Sequence, residues 1–276
     1  MHVQLQPGTT LEGYYIQQKI GEGAAGCAYT ALSPQDKTVV LKLVPLKNSV
    51  YRKEYKKEAS HLRRFAKTPE IVTCLDCFVS GFYGVIVMEK LEMDLLDYIE
   101  AGTIPSESVK IIFKQICDAV LALHQKNIAH LDIKPENIFL NDIYSVKLGD
   151  FGASFRWSVE TPEKFGLSGT SFYCAPEVKQ KDSYKPAEAD IWSLGILLHV
   201  LLTGFWPYAA STEEQLCENT QKGIVTIQEA KIPKDEALLS LMRQMLSRNP
   251  KDRPSVSEVC SSRYLRGVCT GTAKQR

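Results

Sequence analysis

A long apolar run is missing from this sequence: its most apolar stretch, "IWSLGILLHVLL" at residues 191–202, falls short of the roughly 20 residues that a membrane-spanning helix needs. A leader pattern is missing too, because "MHVQLQPGTTLEGYYIQQ" has no basic cluster followed by an apolar core. Excess charge of either sign is absent. With 33 Lys and Arg against 32 Asp and Glu the formal charge is +1, so no bulk field gathers nucleic acid or an anionic membrane. Cysteine is too sparse for a disulfide framework, eight residues being scattered over 276. These absences predict a soluble protein, cytoplasmic or nuclear, whose partners are recognised locally and include neither nucleic acid nor membrane. Cys74-Leu75-Asp76-Cys77 has C-x-x-C spacing, but no second pair or nearby histidine completes a tetrahedral zinc set. Two small apolar residues in a strand are expected there, with a metal or redox role as the alternative.

What is present suits one large domain or two lobes sharing a cleft, since a chain this long buries roughly three quarters of its unfolded surface. From residue 11 to about 45, β-rich runs alternate with turn residues, which predicts an antiparallel meander. "SVYRKEYKKEASHLRRFAK" then carries apolar residues at helical spacing, and "GFYGVIVMEKL" returns to strand. After residue 94 the helical period dominates, with Ser106 a candidate N-cap. There are no internal repeats. A β-rich half joined to a helical half near residues 88 to 94 predicts an α+β, two-lobed chain, and a cleft between lobes is a favoured ligand site.

The candidate chemistry lies in four places. Gly21, Gly23 and Gly26 form a G-x-G-x-x-G between two strand-like runs, where backbone amides could approach phosphate oxygens. A plain hairpin has the same pattern, and a dinucleotide-binding fold would need a helix directly afterwards. Lys42, amid apolar neighbours in "VVLKLV", requires an anion if it points inward, and Glu58 of the next helix offers one. On an edge strand it would simply face solvent. Asp132, Lys134 and Asn137 lie in a proline-containing loop, and Asp150-Phe151-Gly152 follows a short strand. Phosphoryl transfer needs a carboxylate to orient a hydroxyl, a cation near the moving phosphate and oxygen ligands for Mg²⁺, and these residue types supply all three.

In this order, together with Ala175-Pro176-Glu177 and Arg253 in "KDRPS", the signals resemble the protein kinase family from about Tyr15 to Tyr264. The resemblance implies a single catalytic domain over 1–276: an N-lobe at about 11–88, a hinge at 89–94, a C-lobe at 95–265 and a polar tail at 266–276. It implies ATP and Mg²⁺ as cofactors. Lys42 would hold the α- and β-phosphates and pair with Glu58, Asp132 would be the catalytic base, and Lys134 would neutralise the γ-phosphate. Asn137 and Asp150 would bind Mg²⁺, while Gly21, Gly23 and Gly26 would cover the phosphates. Ala28, Val40, Met88 as gatekeeper, Glu89, Leu91 and Phe139 would line the adenine site. Glu177 and Arg253 would form a buried structural ion pair. Lys134 and Thr170 are similar to the serine/threonine branch, and helical-lobe phrases such as "DIWSLGILLHVLLTG" resemble the calcium/calmodulin-dependent and AMP-activated groups. The implied partner is a protein substrate with a Ser or Thr acceptor, met by a monomeric catalytic domain. Asp94 and Glu136 match acidic positions that receive upstream basic residues, or are ordinary surface carboxylates.

The sequence departs from the family pattern in instructive ways. Ala25 replaces an aromatic tip in the Gly-rich loop, which exposes the phosphates to water. Ala28 and Val40 exchange the usual sizes across the adenine face. Leu131 stands where many relatives carry an arginine that grips an activation-segment phosphate, and the other basic positions of that grip fall at Glu54 and Phe155. A phosphate would find no bidentate donor there, so the segment from Ala153 to Cys174 is expected to work unphosphorylated, with Leu131 packed on Phe155. Ser154, Ser158, Thr161, Ser168, Thr170 and Ser171 are the candidate acceptors in it. A pseudokinase scaffold would lack Lys42, Asp132 or Asp150, and a small-molecule phosphotransferase would not be expected to carry Ala175-Pro176-Glu177 and Arg253.

Overall fold

Alternating burial along the early strands builds the first third of the molecule. The structure is a computed structural model that describes residues 5–23, 26–165, 172–180, 183–268 and 270, and it divides into two units, Met1–Glu92 and Met93–Arg276. In the first, β1 (Thr10–Leu11), β2 (Tyr14–Gly23), β3 (Gly26–Leu32), β4 (Thr38–Pro45), β5 (Cys74–Ser80) and β6 (Tyr83–Glu89) form one antiparallel sheet in the order β1-β2-β3-β4-β6-β5. Tyr29 and Ala31 of β3, Val39, Leu41 and Leu43 of β4, and Val85 and Val87 of β6 share one buried face with Ile16. The period of two sends Ala28, Val40, Lys42 and Met88 to the other face.

One helix, α1 (Ser49–Arg64), packs in this unit. Asn48 caps it by accepting from the backbone N–H groups of Val50 and Tyr51, and His61, Arg63 and Arg64 in its last turn complement the helix dipole. Tyr55, Glu58, Ala59 and Leu62 repeat at helical spacing and are buried. The Tyr55 ring lies against Gly84, where any Cβ would come within 2.4 Å of it. Its hydroxyl donates to the Phe78 carbonyl at 2.7 Å, and burial raises its pKa to about 12. Gly84 therefore lets the helix seat closely on β6.

The second unit is mainly helical. Its elements are β7 (Met93–Asp94), α2 (Leu95–Glu100), α3 (Ser106–His124), β8 (Ile128–Ala129), β9 (Ile138–Leu140), β10 (Val146–Leu148), β11 (Phe155–Arg156), β12 (Lys164–Phe165), α4 (Pro176–Gln180), β13 (Ser183–Tyr184), α5 (Pro186–Thr203), α6 (Glu213–Lys222), α7 (Glu236–Met245) and α8 (Val256–Ser261). Helix α5 is apolar nearly all round and buried from Ala189 to Leu201, as a central helix must be. Ser106 proves to be the first helical residue of α3, and Pro105 holds the cap position without a side-chain bond. The expected cap shifts because proline fixes its own φ and is favourable at a helix start. The architecture is α+β, a curled sheet with one helix followed by a helical lobe. Among the described residues, no helix is long and apolar enough to cross a membrane.

Candidate active site

In the first unit, Lys42 Nζ lies 2.6 Å from Glu58 Oε1, with the two side chains only 13% and 4% exposed. The lysine is thus turned inward onto a helix carboxylate and not out to solvent. Strand register surrounds it with the expected nucleotide-facing positions. Ala28 stands opposite Lys42, Val40 opposite Met88, and Lys42 opposite Ile86, so all lie on one face. Ala28 and Val40 are diagonal neighbours and not direct partners. Gly21 pairs with Ala28, and Gly23 with Gly26; the tip residue Ala25 lies outside the described residues. Gly26 has φ +141° and a backbone so close to β4 that a Cβ would sit 1.9 Å from the Leu43 carbonyl oxygen. Glu89 ends β6 and accepts the Thr73 N–H at 2.6 Å, and Leu91 is buried.

In the second unit, the loop after β8 concentrates polar groups. Asn137 Nδ2 donates to the backbone oxygen of Asp132 and to its Oδ2, each at 2.8 Å, and Lys134 Nζ lies 3.1 Å from the same Oδ2. The two accepting oxygens fix which way the Asn137 amide points and leave its Oδ1 directed elsewhere. Asp150 adopts φ +52° and accepts the Gly152 N–H at 3.2 Å. Phe151 is fully buried with its ring edge-on to His130 at 5.1 Å. Phe139 is the middle residue of β9, opposite Lys147 and Asp94.

Sequence reasoning missed what holds this loop. Asp190, completely buried at the start of α5, accepts from the backbone N–H of His130 at 2.9 Å and of Leu131 at 2.8 Å, and meets His124 Nε2 at 2.9 Å. His130 accepts the Asp132 N–H at Nδ1, which assigns the ring proton to Nε2, 2.8 Å from the Gly149 carbonyl. One imidazole therefore ties the Asp132 loop to the residue before Asp150. A signal was available: Asp190 is a carboxylate entering an apolar helix, and such a charge needs partners.

Further supports fall along the chain after Asp150. Glu177 and Arg253 form a bidentate pair at 2.6 and 2.9 Å, and the guanidinium also donates to the Ser247 and Glu188 carbonyls. This matches the buried structural pair expected from sequence, with four of the five guanidinium N–H groups bonded. Ser154 corrects an expectation: it is 1% exposed and donates to the Phe151 carbonyl at 2.5 Å, so it is no accessible phosphate acceptor. Ser158 is half-buried and Thr161 exposed, while Ser168, Thr170 and Ser171 lie outside the described residues. Asp94 accepts the Asp97 N–H as the cap of α2, and Glu136 is exposed.

Comparison with known proteins bears on these arrangements. The family described as "Protein kinase domain" matches residues 14–265. The chain is similar to the carbon catabolite-derepressing protein kinase of Candida tropicalis, 30% identical over 269 residues, covering 95% of this chain and 42% of the relative. It is also similar to the cell cycle serine/threonine-protein kinase CDC5/MSD2 of Saccharomyces cerevisiae, 31% identical over 262 residues, covering 92% and 37%. With the serine/threonine-protein kinase cds1 of Schizosaccharomyces pombe it shares 36% identity over 214 residues, covering 73% and 46%. The chain thus spans less than half the length of each of these relatives.

Proposed function

The chain belongs to the protein kinase domain family, and from that premise we propose that it is an ATP- and Mg²⁺-dependent protein serine/threonine kinase. The observation that carries this reading is the Asp132, Lys134 and Asn137 cluster, in which a carboxylate, an ammonium and an amide sit within 3.1 Å of shared contacts. Asp132 orients the acceptor hydroxyl and takes up its proton, and Lys134 offsets negative charge on the transferred phosphoryl group. Asn137 keeps the Asp132 carboxylate in one rotamer. Lys42, steadied by Glu58, binds the α- and β-phosphates. Gly21, Gly23 and Gly26 supply backbone amides to the phosphates, while Ala28, Val40, Met88, Glu89 and Leu91 are the first unit's adenine contacts.

The amide oxygen of Asn137 and the carboxylate of Asp150 fit Mg²⁺, a hard cation that takes oxygen ligands from one or two side chains and completes its shell with phosphates and water. When bound, the ion supplies neutralisation of phosphate charge. Among the described residues there is no group of three or more His, Cys, Asp or Glu that could hold a metal, and a site shared with nucleotide phosphates does not need one. The substrate is a protein hydroxyl with a lean towards upstream basic residues, for which Glu136 and Asp94 are the acidic counterparts. We further read the chain as a single catalytic domain over 1–276, monomeric and acting inside the cell, without nucleic acid or membrane as partners.

The test is phosphorylation of a degenerate Ser/Thr peptide array by purified protein with Mg²⁺ and ATP. Wild type should transfer phosphate, and Asp132→Asn should lose about 10²-fold or more while still binding nucleotide, since only proton handling is removed. Asp150→Asn should lose transfer together with Mg²⁺-dependent nucleotide affinity. Wild-type turnover in both variants, or no transfer by wild type, rejects the assignment.

A further inference from the structure

The two cysteines of the C-x-x-C stretch would lie on opposite faces of a regular strand, because a spacing of three is odd and side chains alternate. The structure removes that separation. Strand β5 carries a bulge between Cys74 and Asp76, so that Cys74 pairs with Met88, Asp76 with Val87 and Cys77 with Ile86. Met88 and Ile86 are two residues apart and share a face, hence so do Cys74 and Cys77. Their sulfurs stand 3.2 Å apart. Both thiols lie in β5 as expected, but the bulge brings them side by side.

We propose that Cys74 and Cys77 form a reversible thiol-oxidation site that closes to an intramolecular disulfide with hydrogen peroxide or a small organic hydroperoxide. A disulfide needs the sulfurs at about 2.05 Å, so closure asks for an approach of about 1 Å within one bulged strand. The backbone around them is already pinned. Arg63 Nη2 donates to the Cys77 carbonyl at 2.8 Å, the Cys77 N–H donates to Asp76 Oδ1 at 2.7 Å, and the Cys74 thiol contacts the Asp76 carbonyl at 3.6 Å.

The two thiols are also chemically unequal. The hydrogen bond shared by the two thiols lowers the Cys74 pKa and raises that of Cys77, and the Arg63 guanidinium favours the thiolate of either. Cys74 is thus the nucleophile and Cys77 the resolving thiol. The Cys74 thiolate attacks one peroxide oxygen, breaking the O–O bond to give a sulfenic acid and a hydroxide that takes a proton. Cys77 sulfur then attacks Cys74 sulfur, the S–O bond breaks, and the thiol proton leaves with the hydroxyl as water. Two thiols and one hydrogen peroxide become one disulfide and two waters, while an organic hydroperoxide leaves one alcohol and one water. The bulge makes the second step intramolecular.

A second thiol pair gives the test its internal control. Cys117 and Cys260 also share a hydrogen bond, but Cys117 is completely buried on α3 and burial raises its pKa. The reduced full chain is exposed to a small molar excess of hydrogen peroxide, its remaining thiols are alkylated, and its peptides are mapped by mass spectrometry. The expected result is a peptide containing Cys74 and Cys77 that has lost two hydrogens, resists alkylation and regains both thiols with dithiothreitol. In Cys77→Ser, Cys74 should instead be captured by a sulfenic-acid probe. Alkylation of both residues in wild type after treatment, a Cys117–Cys260 disulfide in preference to Cys74–Cys77, or irreversible sulfinic acid at Cys74 would overturn the proposal. The wild-type map decides it even where the serine variant fails to fold.

Discussion

Asp190 accepts the backbone N–H of Leu131 at 2.8 Å, and Leu131 holds φ +65°. A left-handed leucine costs about 1 to 2 kcal/mol, so the carboxylate maintains a backbone shape that the residue itself disfavours. The same group takes the His130 N–H and faces His124. Asp190→Ala should therefore unfold at lower urea, by about 3 kcal/mol or more for the loss of hydrogen bonds to a buried charge, and should lose peptide phosphorylation. Asp190→Asn, which keeps an acceptor, should fall between. A loss below about 1 kcal/mol in Asp190→Ala would show that the loop is shaped by something else.

The Gly-rich hairpin offers a contrast between two glycines of one motif. A Cβ at Gly26 would meet the Leu43 carbonyl at 1.9 Å in a left-handed backbone, whereas a Cβ at Gly23 meets nothing within 4 Å. Gly26→Ala should force β3 away from β4 and reduce both thermal stability and nucleotide affinity, by about 2 kcal/mol or more in stability. Gly23→Ala should leave stability within about 0.5 kcal/mol. Equal behaviour of the two in a melting series would contradict the packing argument.

The contrast also marks what a sequence can disclose. The alternation of Val39, Leu41 and Leu43 and the helical spacing of Tyr55, Glu58, Ala59 and Leu62 made the sheet and α1 legible, because burial period is written in the residue order. The residues expected to be catalytic were legible through motif chemistry. The bulge at Cys74–Asp76 was not, since nothing in "CLDCF" distinguishes a shifted register from a regular one. Asp190 lies 58 positions from Asp132 and became visible as a loop support only when the fold brought α5 beneath that loop. Ser106 missed the cap by one position, because the competing preference of Pro105 for a helix start was overlooked.

Histidine 199 gives the molecule a pH dependence. His199 is buried in α5, its Nδ1 faces the Phe205 carbonyl at 2.8 Å, and its Nε2 accepts the Gln228 N–H at 3.1 Å. Burial, with help from Lys231, lowers its pKa and outweighs the opposing bond to Phe205. The unfolded chain binds a proton near pH 6.5 that the folded chain refuses, so this contribution is complete above about 6.5 and shrinks as pH falls towards the lowered native value, by at most about 1.4 kcal/mol per pH unit. Urea unfolding of wild type and His199→Asn between about pH 7.5 and 5.5 should give a shallower slope for the variant. Parallel slopes would remove His199 from the account.

The segment after Asp150 is anchored at several points by bonds that need no phosphate. Phe155 pairs with Ala129, and Lys164 and Phe165 of β12 pair with Tyr184 and Ser183. The Ser183 hydroxyl donates to Glu163 at 2.6 Å, Ser193 to the Tyr173 carbonyl and Tyr208 to the Phe172 carbonyl, both at 2.9 Å. Lys164 Nζ lies over the Phe155 ring at 5.9 Å, while Leu131 is buried and Glu54 is exposed on α1. The three positions where the family resemblance calls for a phosphate grip, Glu54, Leu131 and Phe155, therefore carry one carboxylate and two apolar groups. Ser158 already bonds Glu160 and Thr161, so a phosphate on it would meet a carboxylate and loosen the turn. Protein treated with a phosphatase, verified phosphate-free by mass and separated from the phosphatase should keep its initial rate on a peptide substrate. Loss of about tenfold or more, restored by phosphate on Thr161 or Thr170, would mean that the segment is ordered by charge and not by packing.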